Sequence, residues 1–206
     1  ECIEALGEKL ILKSSRDGYD GYGQWRLANK DELPELKRAL ATLNLEKVPL
    51  VVEKMVPFER ELSLIGVRNK QGDVRTYPLA ENLHYQGQLH VSVAPATHVD
   101  EALQAKAHDI FVKLAEGMDY VGVLAVELFQ CGDELLVNEL APRVHNSGHW
   151  SQSGAVTSQF ENHLRAICGL PLGDTSAIGP SAMINIIGCS SFSRELLSID
   201  GSHLHW

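Results

Sequence analysis

Residues 120–150 read YVGVLAVELFQCGDELLVNELAPRVHNSGHW, and this stretch decides most of what the sequence predicts about the fold. Tyr120–Phe129 is a nearly continuous apolar run, which is typical of a strand that is covered on both faces. Gly132 and Asp133 predict a turn, and the run Leu135–Leu140 predicts a strand that returns antiparallel to the first. We therefore expect a β-hairpin within a buried sheet.

Glu127 is the unusual residue of the first strand, because burying an unpaired carboxylate is costly. A two-residue loop would place Glu127 opposite Asn138, and a three-residue loop would place it opposite Glu139. Neighbouring carboxylates in an apolar sheet repel each other unless a cation lies between them, and oxygen ligands favour Mg²⁺ or Mn²⁺. The alternative is one glutamate that is protonated or paired with an arginine.

The segment NELAPRVHNSGHW, residues 138–150, places one carboxylate, one arginine, two histidines and two asparagines directly behind the second strand. This density of polar groups predicts a ligand-binding site, and an ordinary polar loop is the alternative. His145 and His149 have a spacing that would suit zinc on one helical face. The intervening NSG sequence disfavours a helix there, so zinc is the less favoured interpretation.

The segment SRDGYDGYGQ, residues 15–24, predicts a glycine-rich flap between two strands. It contains neither the GK[ST] of a Walker loop nor the GxGxxG of a dinucleotide-binding turn. Glycines let the backbone approach a phosphate group closely, and Lys13 immediately precedes the flap. A phosphate site and an ordinary mobile hairpin loop both fit this pattern, and Lys13 favours the phosphate site.

The remaining patterns alternate between amphipathic helices and short strands. Helices are expected at residues 31–43 and 100–116, capped by Asp31 and Asp100. Strands are expected at residues 9–14, 24–27, 48–55, 61–68, 74–79, 84–93 and 181–187. These elements predict an α+β fold with antiparallel sheets and flanking helices.

A third helix is expected to begin after Ser158, which forms a capping box with Glu161, and to end at Cys168. Its apolar residues are expected on the buried side: Phe160, Leu164 and Ile167. The break at Val56-Pro57-Phe58 predicts a subdomain boundary, with a small subdomain over residues 1–56 and a larger one over residues 57–206.

Composition and charge exclude several classes of protein. The formal net charge of −9 argues against a broad nucleic-acid-binding face, and no apolar run reaches the length of a membrane span, about 18 residues. The four cysteines are widely spaced, so we expect reduced, mostly buried thiols in a cytosolic protein. The chain opens on a helix-like ECIEAL and stops in a strand-like HLHW, which indicates a fragment of a longer protein.

These parts together suggest a nucleotide-dependent ligase, and five segments carry a specific resemblance. They are GYDGYGQWRL, VEKMVPFERELSLIGVR, YPLAENLH, GVLAVELF and NELAPRVHNSGHWSQSGAVTSQFENHLRAI. In order and content they resemble the ATP-grasp family and, more narrowly, its N5-carboxyaminoimidazole ribonucleotide synthetases. The resemblance covers most of the chain and implies a small lid subdomain above a larger core.

The resemblance also implies a reaction in purine biosynthesis. ATP phosphorylates bicarbonate to carboxyphosphate, and this species, or CO₂ released from it, carboxylates the amine of 5-aminoimidazole ribonucleotide. ADP and phosphate leave. It further implies Mg²⁺, with Mn²⁺ as the alternative metal, a homodimeric parent enzyme in the cytoplasm, and impaired activity of this fragment alone. The alternatives are an ATP-grasp ligase with a different acceptor and a nucleotide-binding module without activity.

Residue roles follow from the matched segments. Lys13 would contact the ATP phosphates, and a flap would close over them: Gly18, Tyr19, Asp20, Gly21, Tyr22, Gly23 and Gln24, of which Tyr19 and Asp20 would also touch the aminoimidazole nucleotide. The adenine pocket would be lined by Glu53, Lys54, Met55 and Val56. Glu61 would bind the ribose hydroxyls, and His84 would approach the nucleotide. Glu127 and Glu139 would hold Mg²⁺ with Asn138 beside them, and bicarbonate or carboxyphosphate would be held by Arg143, His145 and Asn146.

Overall fold

The computed structural model describes residues 2–16 and 23–205, which form two compact units. One unit comprises Glu1–Pro57 with Tyr85–Gln88, and the other comprises Phe58–His84 with Leu89–Trp206. Six residues of the predicted flap lie outside the described residues: Asp17, Gly18, Tyr19, Asp20, Gly21 and Tyr22.

The smaller unit is built on a three-stranded antiparallel sheet with the strand order β2-β1-β3. Its elements are α1 (Cys2–Leu6), β1 (Leu10–Ser14), β2 (Gln24–Leu27), α2 (Leu33–Leu40) and β3 (Leu50–Lys54). Its core consists of four buried leucines, Leu10, Leu12, Leu27 and Leu36. The sheet and α2 therefore share one hydrophobic cluster.

The predicted helix cap at Asp31 is wrong. The side chain of Asn29 accepts a hydrogen bond from the Asp31 backbone N–H at 3.0 Å, and a 3₁₀ turn over Lys30–Glu32 precedes α2. Asn29 has the same capping chemistry two residues earlier, so the helical region begins there instead. Helix α2 also ends at Leu40, before the predicted end at residue 43.

The larger unit is built on a seven-stranded sheet with the order β10-β7-β6-β4-β8-β9, and β5 also pairs with β4. Its strands are β4 (Arg60–Arg68), β5 (Val74–Thr76), β6 (Ala80–Tyr85), β7 (Gln88–Ala94), β8 (Gly122–Cys131), β9 (Glu134–Ala141) and β10 (Ser181–Ile184). The single strand predicted at residues 84–93 is wrong, since β6 begins at Ala80 and the chain reverses at Gln86 and Gly87. Both residues have positive φ, 52° and 79°, as a tight hairpin turn requires.

The sheet of the larger unit is covered on both faces, as the apolar run in β8 predicts. Helix α3 (Glu101–Gly117), capped by Asp100 as predicted, packs on one face through the fully buried Phe111. The other face carries Ile65, Val67, Val123 and Ala125, and packs against Trp150. Alternate residues of β4 and β8 therefore belong to different hydrophobic clusters.

Two short helices complete that second face. The polar segment contains a 3₁₀ turn over Asn146–Gly148, and α4 (Ser151–Gly154) follows it. His145 is the extended cap of that turn, so the expectation that NSG disfavours a helix carrying both His145 and His149 on one face is confirmed. Helix α5 (Gln159–Ile167) follows, and the side chain of its cap Ser158 accepts a hydrogen bond from the Glu161 N–H at 3.2 Å, as predicted.

The predicted buried side of α5 is wrong. Leu164 is 58% exposed and Ile167 is 41% exposed, whereas the buried residues are Gln159, Asn162 and Ala166. The two amides are satisfied by their surroundings: Asn162, for example, accepts from the Gly173 N–H at 2.8 Å and donates to the Tyr77 hydroxyl at 2.9 Å. Hydrogen bonds from these amides to neighbouring loops therefore orient this helix, together with the fully buried Ala166.

The cysteines also differ from expectation. Cys2, Cys168 and Cys189 are exposed and Cys131 is half-buried, and all four are free thiols, so the prediction of mostly buried cysteines was wrong. They lie at element ends and in loops, where the core does not reach. Within residues 2–16 and 23–205, no helix is both long enough and apolar enough to cross a membrane.

Candidate active site

The pairing of β8 with β9 shows how the two predicted metal ligands meet. Cys131 pairs with Glu134, so the turn contains two residues, and by that count Glu127 should face Asn138. The register instead shifts by one between Leu128 and Glu127, and Glu127 pairs with Glu139. Asn138 is therefore the extra residue of a β-bulge. The prediction from a three-residue loop thus named the right partner, Glu139, for the wrong reason. The turn has two residues, and the bulge places Glu139 opposite Glu127.

The bulge also brings Asn138 to the carboxylate, since its Nδ2 donates a hydrogen bond to Glu127 Oε2 at 3.4 Å. Burial and, next, the facing carboxylate of Glu139 raise the pKa of Glu127, against the opposing effects of His84 and the Asn138 hydrogen bond. Negative charge at Glu127 is thus disfavoured unless a cation joins the pair. Paired carboxylates with an amide beside them are the oxygen donors that Mg²⁺ prefers, so the residues fit such a metal.

Within the described ranges, no cluster of three or more histidine, cysteine, aspartate or glutamate side chains is arranged to hold a metal ion. A cation at Glu127 and Glu139 would therefore take its other ligands from a bound molecule. Mg²⁺ commonly binds in this way, through one or two carboxylates together with substrate oxygens.

His145 lies beside the same carboxylate, with its Nε2 3.5 Å from Glu127 Oε1. Asn146 begins the 3₁₀ turn that follows, and its Oδ1 is buried without a hydrogen-bond partner among the described residues. Arg143 is exposed, and its Nη1 donates to the carbonyl of Val144 at 3.0 Å. The structure therefore brings His145 into the metal-type site, whereas Arg143 reaches toward solvent.

The neighbouring strands extend this polar region across the sheet. Nδ1 of His84 contacts the carboxylate of Glu61, and both side chains are largely buried. Ser63 pairs with Glu127 across β4 and β8, and its hydroxyl is fully buried without a hydrogen-bond partner among the described residues. The sequence analysis did not single out Ser63, although the alternation of ELSLIGVR marks it as polar on the same face as Glu61.

The other predicted nucleotide residues lie in the smaller unit. Lys13 Nζ forms a 2.7 Å ion pair with Glu53 Oε2 across β1 and β3. Gln24 pairs with Lys13 on the other side, and the carbonyl of Gly23 accepts from Ser14 N–H at 2.7 Å. After β3, which ends at Lys54, the chain continues through two residues: Met55, whose N–H donates to the Lys9 carbonyl at 2.9 Å, and the half-buried Val56.

A family model described as the ATP-grasp domain matches residues 1–160 of the chain. The chain belongs to the ATP-grasp family. The predicted fold class is thereby confirmed, with its antiparallel sheets and flanking helices.

Relatives within the ATP-grasp family are close. N5-carboxyaminoimidazole ribonucleotide synthase from Vibrio vulnificus strain YJ016 is 49% identical over 210 residues, which cover 100% of this chain and 54% of the relative. The protein of the same name from Vibrio cholerae is 51% identical over 209 residues, with the same coverage of each chain. The chain thus spans about half the length of the curated relatives it matches.

Solved ATP-grasp structures agree with these relatives. N5-carboxyaminoimidazole ribonucleotide synthetase from Thermus thermophilus superimposes with a TM-score of 0.89 at 49% identity, covering 100% of this chain and 54% of that one. N5-carboxyaminoimidazole synthase from Aspergillus clavatus, solved with ADP and 5-aminoimidazole ribonucleotide, gives a TM-score of 0.80 at 36% identity. That match covers 91% of this chain and 48% of the Aspergillus chain.

Two buried residues that contact His145 were missed by sequence reasoning. Gln159 is fully buried, and its carboxamide contacts the backbone of His145. Ser147 is also fully buried and contacts the ring of His145. A glutamine in the first turn of a helix gives no motif signal, because polar residues at that position commonly face solvent. The one clue was the place of Gln159 immediately after a helix cap and close in sequence to the polar loop.

Proposed function

We propose that this chain provides the ATP-grasp part of an enzyme that carboxylates 5-aminoimidazole ribonucleotide with bicarbonate, using ATP and giving ADP and phosphate. The observation that carries the proposal is the pairing of Glu127 with Glu139 beside His145. It is supported by the 49% and 51% identity to two N5-carboxyaminoimidazole ribonucleotide synthases and by the Aspergillus complex with ADP and 5-aminoimidazole ribonucleotide.

In the proposed reaction, an oxygen of bicarbonate attacks the γ-phosphorus of ATP, and the bond from that phosphorus to ADP breaks. The amine nitrogen of the ribonucleotide then forms a bond to the carboxyl carbon, the carbon–oxygen bond to phosphate breaks, and the nitrogen loses a proton. The product is the N5-carboxylated nucleotide, and phosphate carries away one oxygen of bicarbonate.

Glu127 and Glu139 would hold Mg²⁺, which would offset the negative charge on the transferred phosphoryl group. Asn138 steadies Glu127 through its amide. His145 presents its Nε2 beside Glu127, where a ring proton can donate to a carboxyphosphate oxygen. The guanidinium of Arg143 and the amide of Asn146 are the further donors proposed for that anion.

For the nucleotide itself we propose Lys13 as the phosphate contact, since its ammonium already binds an anionic partner, the carboxylate of Glu53. The adenine is assigned to residues 53–56, and the ribose hydroxyls to Glu61, with His84 beside it. Tyr19 and Asp20 are proposed to touch the aminoimidazole nucleotide. A homodimer located in the cytoplasm is proposed as well, as the family resemblance implies.

The test measures phosphate release from ATP with and without 5-aminoimidazole ribonucleotide and bicarbonate. Because the relatives are about twice as long, the chain is assayed in place of the matching segment of the Vibrio cholerae protein. We expect turnover that requires both substrates and is abolished by Glu139→Gln. The matched control is Glu134→Gln, the same change at an exposed position of β9.

Turnover that proceeds with another acceptor in place of the aminoimidazole nucleotide would contradict the proposed substrate. Equal turnover in the two glutamine variants would contradict the metal assignment. Calorimetry with Mg-ATP on the 206-residue chain adds a test of nucleotide binding alone, independent of any acceptor.

A further inference from the structure

Gln159 makes an unusual pair of contacts with the backbone of one residue. Its Oε1 accepts a hydrogen bond from the His145 N–H at 3.0 Å, and its Nε2 donates to the His145 carbonyl at 2.7 Å. The side-chain amide thus satisfies both backbone groups of His145, as a neighbouring β-strand would do. The Gln159 N–H in turn donates to Ser151 Oγ at 3.0 Å, and Ser151 Oγ donates to the Gly148 carbonyl at 2.6 Å.

The space around this carboxamide is tight. A Cβ added at Gly148 would lie 2.5 Å from Gln159 Oε1 and 2.9 Å from Ile65 Cγ1. Contacts this short do not occur between packed carbon and oxygen atoms, so a side chain at position 148 and the present position of Gln159 exclude each other. Gly148 therefore allows Gln159 to reach the backbone of His145.

Ser147 determines which nitrogen of the neutral His145 ring carries the proton. Its backbone N–H donates to His145 Nδ1 at 3.3 Å, and its hydroxyl lies 2.9 Å from the same nitrogen. A ring nitrogen that accepts an N–H carries no proton itself, so in the neutral ring the proton is on Nε2. That nitrogen is the one that lies 3.5 Å from Glu127 Oε1.

We propose that Gln159 is a positioning residue, which holds His145 in one orientation and, through the turn at Ser147, in one tautomer with its Nε2 proton beside Glu127. Its importance for catalysis rests on the function proposed above for His145, whereas the positioning itself does not. Gln159 acts through His145, and its loss is expected to disorder the donor without removing any group that touches the substrates.

The decisive experiment detects the His145 ring nitrogens by NMR in the 206-residue chain, labelled with ¹⁵N-histidine. The spectrum is recorded near pH 8.5, about two units above the ordinary histidine pKa. The His145→Gln variant assigns the signals. We expect a single tautomer in the native chain, with an unprotonated Nδ1 and a protonated Nε2.

In Gln159→Leu, we expect the two nitrogen shifts of His145 to move toward the averaged values of a free imidazole. Gln152→Leu is the matched control, because it makes the same change at an exposed position. If Gln159→Leu does not fold, Gly148→Ala displaces the same carboxamide sterically. Its control is Gly117→Ala, where an added Cβ meets nothing within 4 Å.

Unchanged His145 shifts in Gln159→Leu, accompanied only by a lower unfolding midpoint, would overturn the proposal and leave Gln159 a structural role. In the turnover assay with the Vibrio cholerae protein that carries this chain, we expect Gln159→Leu to lower kcat about 10- to 100-fold with little change in KM for ATP. If the NMR result holds but turnover does not depend on bicarbonate, the proposed function fails and the positioning role stands.

Discussion

Gly66 offers a sharp test of how the larger unit is packed. A Cβ added at this position of β4 would lie 2.4, 2.6 and 2.7 Å from three ring carbons of Phe111. Carbon atoms in contact are separated by about 3.5–4.0 Å, so the ring would have to move by about 1 Å or more. Phe111 is fully buried and packs with Leu62 and Leu64, which leaves little room for such a shift.

Gly66→Ala is therefore expected to cost about 2–3 kcal/mol of unfolding free energy, the upper part of the range for overpacked cores. With a slope of about 1–3 kcal/mol per molar urea, the midpoint should fall by about 1 M. The assay is urea unfolding of the 206-residue chain, with Gly117→Ala as the control, since its added methyl group meets open space.

A double-mutant cycle makes the prediction specific to the Phe111 ring. In a Phe111→Leu background the smaller side chain makes room, and Gly66→Ala should cost about 1 kcal/mol or less. An equal cost in both backgrounds, or an unchanged midpoint in the single variant, would refute the packing of Phe111 against β4.

Three further predictions concern the site. The raised pKa of Glu127 means that folding favours the neutral form of this side chain. Its contribution to the free energy of unfolding is fully present below the ordinary pKa of 4.5 and is lost as pH rises through the raised pKa of the folded state. In metal-free buffer Glu127→Gln should therefore increase stability at pH 7 but not at pH 4, and thermal unfolding at the two pH values checks this; a loss of stability at pH 7 would contradict it. Deletion of Asn138 should remove the bulge and keep Glu127 opposite Glu139, and the lost hydrogen bond to Glu127 should cost about 1–2 kcal/mol. Urea unfolding measures that cost, and failure of the chain to fold would show that the bulge is essential. Lys13→Met should weaken Mg-ATP binding about 10- to 100-fold, as measured by calorimetry. Lys30→Met, which removes a surface ion pair with Glu8, should leave binding unchanged. Equal effects of the two substitutions would rule out a phosphate contact at Lys13.

The central hairpin could be predicted from sequence because its signals are local. The apolar run of β8, the turn at Gly132 and Asp133 and the returning run of β9 specify the pairing of Glu127 with its neighbours to within one residue. The bulge at Asn138 could not be predicted, since a bulge depends on the hydrogen-bond ladder between two strands and leaves no mark in either strand alone.

The packing of α5 on the sheet was harder to predict, for a different reason. Hydrophobic periodicity assigned the apolar side of α5 to the core, yet Leu164 and Ile167 are exposed and Gln159 and Asn162 are buried. An amide is buried when loops that are distant in sequence offer it partners, and such partners are invisible in a helical pattern. The role of Gln159 therefore emerged only with the structure.

The most direct test of the proposed reaction follows the oxygen atoms of bicarbonate. Turnover is run with ¹⁸O-labelled bicarbonate, in the Vibrio cholerae protein that carries this chain in place of its matching segment, and the released phosphate is analysed by mass spectrometry. If bicarbonate oxygen attacks the γ-phosphorus of ATP, each phosphate released in carboxylation carries one oxygen atom from bicarbonate. Phosphate that carries three oxygens of ATP and a fourth from solvent, with none from bicarbonate, would show that water attacks ATP instead, and would contradict the reaction assigned to Glu127, Glu139 and His145.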